Sequence, residues 1–174
     1  MYGCCSLTAV DLTSLRHVAS IGHRFLYCCC CITSIDLGAL ANVTSIGESF
    51  LRRCCSLTAV DLRGLTNVVS VDRDFMRNCT LLAEVDLRGM RAVRIIGQEF
   101  LSGCSSLRRV ALMPSRSITS VGSNFLLGCD RIEVILAWPD SPAALMGALA
   151  NTPHQRAVLV EEAVDDGGDG CVAA

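Results

Sequence analysis

Twelve of the 174 residues are cysteine, four of them consecutive at Cys28, Cys29, Cys30 and Cys31. Thiols in such numbers suggest metal binding, redox chemistry or a disulfide framework. Spacing argues against a metal, because four adjacent cysteines cannot all reach one tetrahedral zinc, which prefers C-x-x-C-type separations. Six of the cysteines, Cys4, Cys29, Cys54, Cys79, Cys104 and Cys129, recur every 25 residues. A column repeated identically in each unit is what packing requires, whereas an active site needs only one set, and free Cys behaves as a small buried hydrophobe. Cys28, Cys30 and Cys31 remain as turn residues, some exposed and liable to crosslinking. Bases are scarce: His17, His23 and His154 lie in different contexts, and no serine elbow motif is present. The expectation is a protein with no catalytic residues, no cofactor and no metal.

A second chemical column is acidic. Asp11, Asp36, Asp61 and Asp86 repeat with the same period and give way to Ala111 and Leu136. Like charges at strand spacing would raise one another's pKa unless screened or paired. Arg63 and Arg88 follow Asp61 and Asp86 by two residues and can neutralise them locally, whereas Asp11 and Asp36 have Thr13 and Gly38 in those places. Arg108 and Arg109 then turn the surface basic, so this face grades from acidic to basic along the chain. Such a face can be a solvated surface that keeps the sheet soluble, a docking surface for a protein, or a weak cation site at the unpaired aspartates.

The elements that position these residues follow from periodicity. The five phenylalanines are Phe25, Phe50, Phe75, Phe100 and Phe125, and apolar columns run in register with them, such as Leu12, Leu37, Leu62, Leu87 and Leu112. One unit reads L-x-x-V-x-L-x-x-L-x-x-V-x-x-I-G-x-x-F-x-x-x-C. Its opening L-x-x-V-x-L is a strand pattern, with Val10 and Leu12 alternating with Asp11. Val18 to Ile21 and Phe25 return to the same interior. A unit this short cannot bury that interior alone, and stacking identical units buries it continuously, which is the logic of a solenoid. The column Gly22, Gly47, Asp72, Gly97 and Gly122 predicts a left-handed turn position, because glycine takes positive φ cheaply.

The motif Leu7-Thr-Ala-Val10-Asp-Leu12 and its five successors resemble the L-x-x-L-x-L of leucine-rich repeats. The fuller pattern from Cys54 to Leu62, with Ser-Ile-Gly and Phe-Leu-x-x-Cys following, is similar to the BspA-like class. Arg24, Ser49, Asp74, Glu99 and Asn124 stand where that class usually carries Ala before the Phe. Its Pro after the strand occurs only as Pro114, and the asparagine ladder of many leucine-rich repeats is replaced by Leu15, Leu40, Leu65 and Met90. The resemblance implies an α/β-type repeat solenoid: a leucine-rich repeat array with a parallel β-sheet on its concave face, mostly strand and loop, closed by a short C-terminal helical cap.

Three segments are expected. Residues 1–137 form the solenoid with six strand motifs. Residues 138–160 form the cap, with a short helix N-capped by Ser141 and carrying Pro142 at its first position, and with Ala157–Val160 returning as a strand beside the last rung. Residues 161–174 read as an acidic, glycine-rich disordered tail. Residues 1–137 hold 14 Arg and 11 acids, and the rest holds one Arg and six acids. That asymmetry suggests the tail folds back on the basic end. The first rung lacks a capping unit, which predicts either a piece of a longer array or self-association through the N-terminal edge.

A formal net charge of −2 gives no reason to expect nucleic acid. No apolar run is long enough to insert into a membrane, and no signal peptide is visible. The chain reads as cytoplasmic by default, and as secreted or surface-exposed if it is part of a longer family member. The resemblance implies a non-enzymatic protein-interaction or adhesion module whose concave face, with Asp11, Asp36, Asp61, Arg63, Asp86, Arg88, Arg108 and Arg109 as its candidate binding residues, meets an unknown protein ligand. The alternative is a fragment of a longer repeat protein with no independent activity.

Overall fold

In a computed structural model of the chain, residues 3–114, 116–138 and 141–153 are described, together with the backbone of 158–160. Each 25-residue unit makes one rung with two short strands. The L-x-x-V-x-L motif supplies β2 (Ser34–Asp36), β4 (Ala59–Asp61), β6 (Glu84–Asp86), β8 (Arg109–Ala111) and β10 (Val134–Ala137). The second inward segment supplies β1 (Ser20–Ile21), β3 (Ser45–Ile46), β5 (Ser70–Val71), β7 (Ile95–Ile96) and β9 (Ser120–Val121). The pairings among these ten strands are parallel and shift by one repeat, as in Ser45↔Ser70 and Val85↔Val110.

The two ladders differ. The short strands form one continuous sheet, β1-β3-β5-β7-β9. The long-motif strands form two separate sheets, β2-β4 and a second one running from β6 through β8 to β10, because no ladder hydrogen bonds join β4 to β6. The first motif, Leu7–Leu12, forms no strand, so five of the six expected motifs enter the concave sheet.

Between the sheets lies the core. Leu37, Leu62, Leu87 and Leu112 are buried, and the phenylalanines stack face to face with centroids 5.6, 5.2, 4.9 and 5.5 Å apart from Phe25 to Phe125. Identical side chains one rung apart meet in this way because strand spacing lies near ring-stacking distance. Leu40, Leu65 and Met90 are also buried, where an asparagine ladder would otherwise run.

The turn around each phenylalanine is left-handed at residues other than those expected. Arg24, Leu26 and Cys28 have φ of 58°, 53° and 56°, and the following rungs repeat the alternation at Ser49, Leu51 and Arg53 and at Asp74, Met76 and Asn78. The glycine column of Gly22, Gly47, Gly97 and Gly122 has no positive φ. Gly47, Gly97 and Gly122 are selected by close approach instead: a Cβ on Gly97 would lie 2.5 Å from the backbone nitrogen of Arg73, and one on Gly47 would lie 3.0 Å from the carbonyl carbon of Gly22. Asp72 carries a Cβ in that column, and nothing in the structure explains how it is accommodated.

At the far end, β11 (Val158–Val160) pairs parallel with β10, as expected, with Ile135↔Val158 in register. The helix α1 spans Ala143–Ala150, one residue later than expected, and Pro142 is its N-cap residue, with no side-chain cap. Ser141 Oγ instead accepts from the Trp138 backbone N–H at 3.0 Å. Trp138 Nε1 donates to the Leu112 carbonyl, tying the junction to the preceding rung. Ala157 and the acidic tail lie outside the described residues.

Candidate binding surface

The aspartate column is positioned by its own backbone. Asp11, Asp36, Asp61 and Asp86 each accept through Oδ1 from the N–H two residues on, at 2.9, 2.7, 3.0 and 2.9 Å respectively. This is an Asx turn, repeated where the chain leaves each strand. The expected mutual repulsion does not govern Asp11, Asp61 and Asp86. Hydrogen bonding holds the Asp11, Asp61 and Asp86 carboxylates below the usual carboxylate range: the Thr13 N–H does so for Asp11, and the Arg63 and Arg88 guanidinium groups lead for the other two. Both arginines clasp their carboxylates with Nε and Nη2, down to 2.6 Å for Arg63 and 2.7 Å for Arg88.

The basic end is partly compensated. Arg108 pairs with Glu133 on the next rung at 2.8 Å, and Arg109 stands in register beside Glu84. The expected gradient from acidic to basic is therefore shallower than the residue types suggest.

The interruption between β4 and β6 opens the concave surface. A groove of about 510 Å³ runs there between Thr58 and Leu136 and is flanked by Glu84, Asp86, Arg88 and Arg109. A neighbouring hollow of about 400 Å³ lies over Asp36, Asp61 and Arg63. Val60 lines both and is half-buried, whereas its column mates Ile35, Val85 and Val110 are buried. The sites expected at Asp36, Asp61, Arg63, Asp86, Arg88 and Arg109 thus surround two adjoining hollows. Asp11 and Arg108 lie outside both linings.

The cysteine column does more than pack. Cys54, Cys79, Cys104 and Cys129 Sγ donate to the carbonyls of Leu26, Leu51, Met76 and Leu101 at 3.1 to 3.3 Å. These carbonyls belong to left-handed residues of the preceding rung. The thiol therefore satisfies an acceptor buried by the turn, which Ala or Val could not do. Burial pushes the Cys54 thiol up to about 12 and the Cys79 thiol higher still, so these cysteines are poor nucleophiles. Cys31 and Cys5 are exposed, and Cys28, Cys30 and Cys55 are half-buried. His23 Nδ1 accepts from the Glu48 N–H, and His17 Nε2 from Arg16 Nε, while His154 lies outside the described residues. Among the described residues, no three His, Cys, Asp or Glu side chains are grouped to hold a metal.

This geometry belongs to a known family. The sequence matches six copies of the BspA type leucine rich repeat region across residues 19–139, and the chain is a member of that family. A crystal structure of a T. pallidum leucine rich repeat protein shares its fold, with a TM-score of 0.59 at 22% identity. The match covers 68% of this chain and 52% of that one, so this chain spans about half the length of its structural relative. No curated protein matches the sequence. Leucine-rich repeat folds typically mediate protein–protein interaction and are generally non-enzymatic. No described helix is long and apolar enough to cross a membrane.

Proposed function

We propose that the chain is a non-enzymatic protein-binding module, with adhesion at a cell surface as its specific use, and that its partner docks on the concave face across the β4–β6 interruption. The observation that carries this reading is the groove at Val60. It combines an apolar floor with the clasped pair Asp86–Arg88 on its rim, and the pair Asp61–Arg63 lines the adjoining hollow. Protein interfaces are built this way, with an apolar centre and a polar border. Paired charges cost less to bring to an interface than free ones, and their fixed orientation discriminates among partners. Arg108 and Arg109 extend the rim, while Asp11 and Asp36 extend its acidic side.

A photo-crosslinking residue at Ala59 tests the reading. Expected is a discrete crosslinked partner, lost when Val60→Arg is combined with Arg63→Glu and Arg88→Glu in a chain that keeps its circular dichroism. The same products from the wild-type and the altered chain would count against the concave face. Self-association through the first rung is the second part of the proposal, supported by half-buried Leu7 and Val10 outside any strand. Sedimentation equilibrium tests it: Val10→Asp is expected to shift the chain towards monomer.

A further inference from the structure

The stacking of turns that gathers Arg24, Arg52, Arg73 and Arg77 round one polar cavity also gathers thiols. Cys5, Cys30 and Cys55 share a column, one per rung, in the stretch that leads into each strand motif. The column continues as Thr80, Ser105 and Asp130, so its place in the fold accepts polar residues and does not call for sulfur. In this it differs from the core column, which is Cys in all six units.

Cys30 and Cys55 converge. Each Sγ donates to the Arg53 carbonyl at 3.5 Å, one from the preceding rung and one from the same rung. Cys5 is held elsewhere, on the Cys28 carbonyl at 3.6 Å. Backbone hydrogen bonds clamp the two rungs on either side of the pair, from the Cys28 N–H to the Arg52 carbonyl at 2.8 Å and from the Thr58 N–H to the Thr33 carbonyl at 2.9 Å. Rungs at strand spacing, about 4.8 Å, fall within the roughly 4.4–6.8 Å of Cα separation that a disulfide spans. Both cysteines are half-buried and open to a small reagent, whereas Cys29 and Cys54 beside them are sealed in the core. Burial, and after it the charge of a Cys30 thiolate, raise the Cys55 pKa, so the two sulfurs lie in each other's field.

We infer that Cys30 and Cys55 form a modification site, a dithiol that a low-molecular-weight disulfide converts into a covalent staple between the second and third rungs. The Cys30 thiolate attacks one sulfur of the external disulfide, R–S–S–R, forms a mixed disulfide and expels one R–S⁻. Cys55, whose thiolate form is disfavoured, is the resolving partner: its thiolate attacks the Cys30 sulfur and expels the second R–S⁻. The two thiol protons pass through water to the leaving thiolates. Two protein thiols are oxidised, and one external disulfide is reduced to two thiols. The inference rests on the stacking of the rungs and is independent of the docking groove.

Incubation of the full chain with glutathione disulfide at pH 8, followed by alkylation, trypsin digestion and mass spectrometry of the monomer band from a non-reducing gel, tests the inference. Cleavage after Arg24, Arg52, Arg53 and Arg63 places the two cysteines on separate peptides, so the staple appears as residues 25–52 linked to residues 54–63. Expected is this linked pair, with fragmentation locating the bond at Cys30 and Cys55. It is expected to vanish in Cys30→Ser and in Cys55→Ser and to persist in Cys28→Ser and Cys31→Ser. Serine is expected to be tolerated, because Thr80 and Ser105 fill the same column, and circular dichroism checks that the variants fold. Absence of the linked pair from the wild-type monomer would overturn the inference, including the case in which Cys30 or Cys55 carries glutathione instead. A bond located at Cys29 and Cys54, or a linked pair that survives Cys30→Ser or Cys55→Ser, would overturn it as well.

Discussion

The Asp61 carboxylate holds Arg63 at three points, accepting its backbone N–H at 3.0 Å, its Nε at 3.0 Å and its Nη2 at 2.6 Å. The backbone bond is the one shared by all four rungs that carry the aspartate, so the turn depends on it more than on the ion pair. Asp61→Asn keeps that acceptor and loses only the charge. Arg63 is 85% exposed, so the loss is expected to stay below about 1 kcal/mol. Asp61→Ala removes the acceptor too and is expected to cost about 1 kcal/mol more. Urea unfolding at pH 7 distinguishes them, and equal losses would refute the turn assignment.

Acid should expose the same groups. The folded pKa values of Asp11, Asp61 and Asp86 lie below their unfolded values. Their stabilising contribution is therefore complete above the unfolded value of about 3.9 and is lost as pH falls through the folded value. The thermal midpoint is expected to be flat between about pH 5 and 7 as far as these groups contribute, and to fall below about pH 4. An Asp61→Asn, Asp86→Asn double variant should lose less than wild type over that acid range, and a fall of equal size would remove these carboxylates as the cause.

Gly97 and Gly22 belong to one column but meet different surroundings. A Cβ on Gly97 would sit 2.5 Å from backbone atoms of Asp72 and Arg73, whereas one on Gly22 would meet nothing within 4 Å. Gly97→Ala is expected to destabilise by about 1–3 kcal/mol or more through overpacking. Gly22→Ala should stay within about 0.5–1 kcal/mol of wild type. Similar effects in guanidinium unfolding would restore the left-handed reading of the column.

The thiol of Cys79 donates to the Leu51 carbonyl at 3.2 Å. Cys79→Ala leaves that buried acceptor unsatisfied and opens a small cavity, for an expected loss of about 2–3 kcal/mol. Cys79→Ser keeps a donor and is expected to lose less. Iodoacetamide labelling read by mass spectrometry supplies a second check: Cys5 and Cys31 should react in the folded chain, and Cys54 and Cys79 only after unfolding. Labelling of Cys79 in the native state would contradict its burial.

Arg53 is exposed and held at φ 61°, in a column where Gly103 and Gly128 occupy φ 73°. Glycine takes that conformation without the Cβ conflict that costs other residues about 1–2 kcal/mol. Arg53→Gly is therefore expected to raise stability by about 0.5–1 kcal/mol after the added freedom of the unfolded chain is counted. A lower urea midpoint would show that the Arg53 side chain contributes more than its backbone costs.

The rung was legible from the sequence because each inward position is filled by the same residue class in successive units. What stayed hidden was any feature that residue type states ambiguously. Glycine serves both positive φ and close approach, and Gly97 uses the second. Aspartate reads as surface charge, yet Asp36 closes a turn. Cysteine reads as a small apolar residue, yet Cys79 donates to a carbonyl. The left-handed positions fall on Leu51 and Met76, whose types give no hint of it. Arg24, Arg52, Arg73 and Arg77 belong to three different columns and meet only because successive turns stack. Reading the two positions before and the second position after each phenylalanine as one surface would have found them. Outward columns change type at neighbouring joins as well, from Ala59 to Glu84 and from Glu84 to Arg109, so nothing singled out the join where β4 parts from β6.

That interruption makes the array unevenly stiff. A solenoid flexes by changing its rung spacing on one side while the other side acts as a spine. The spine here is unbroken, since β1-β3-β5-β7-β9 and the ring stack from Phe25 to Phe125 run through every join. Among the rungs that carry a concave strand, only the join of the third and fourth has no ladder hydrogen bonds to stretch on that side. Changes of curvature therefore gather at that join, and the groove beside Val60 widens or narrows with them while every rung stays intact.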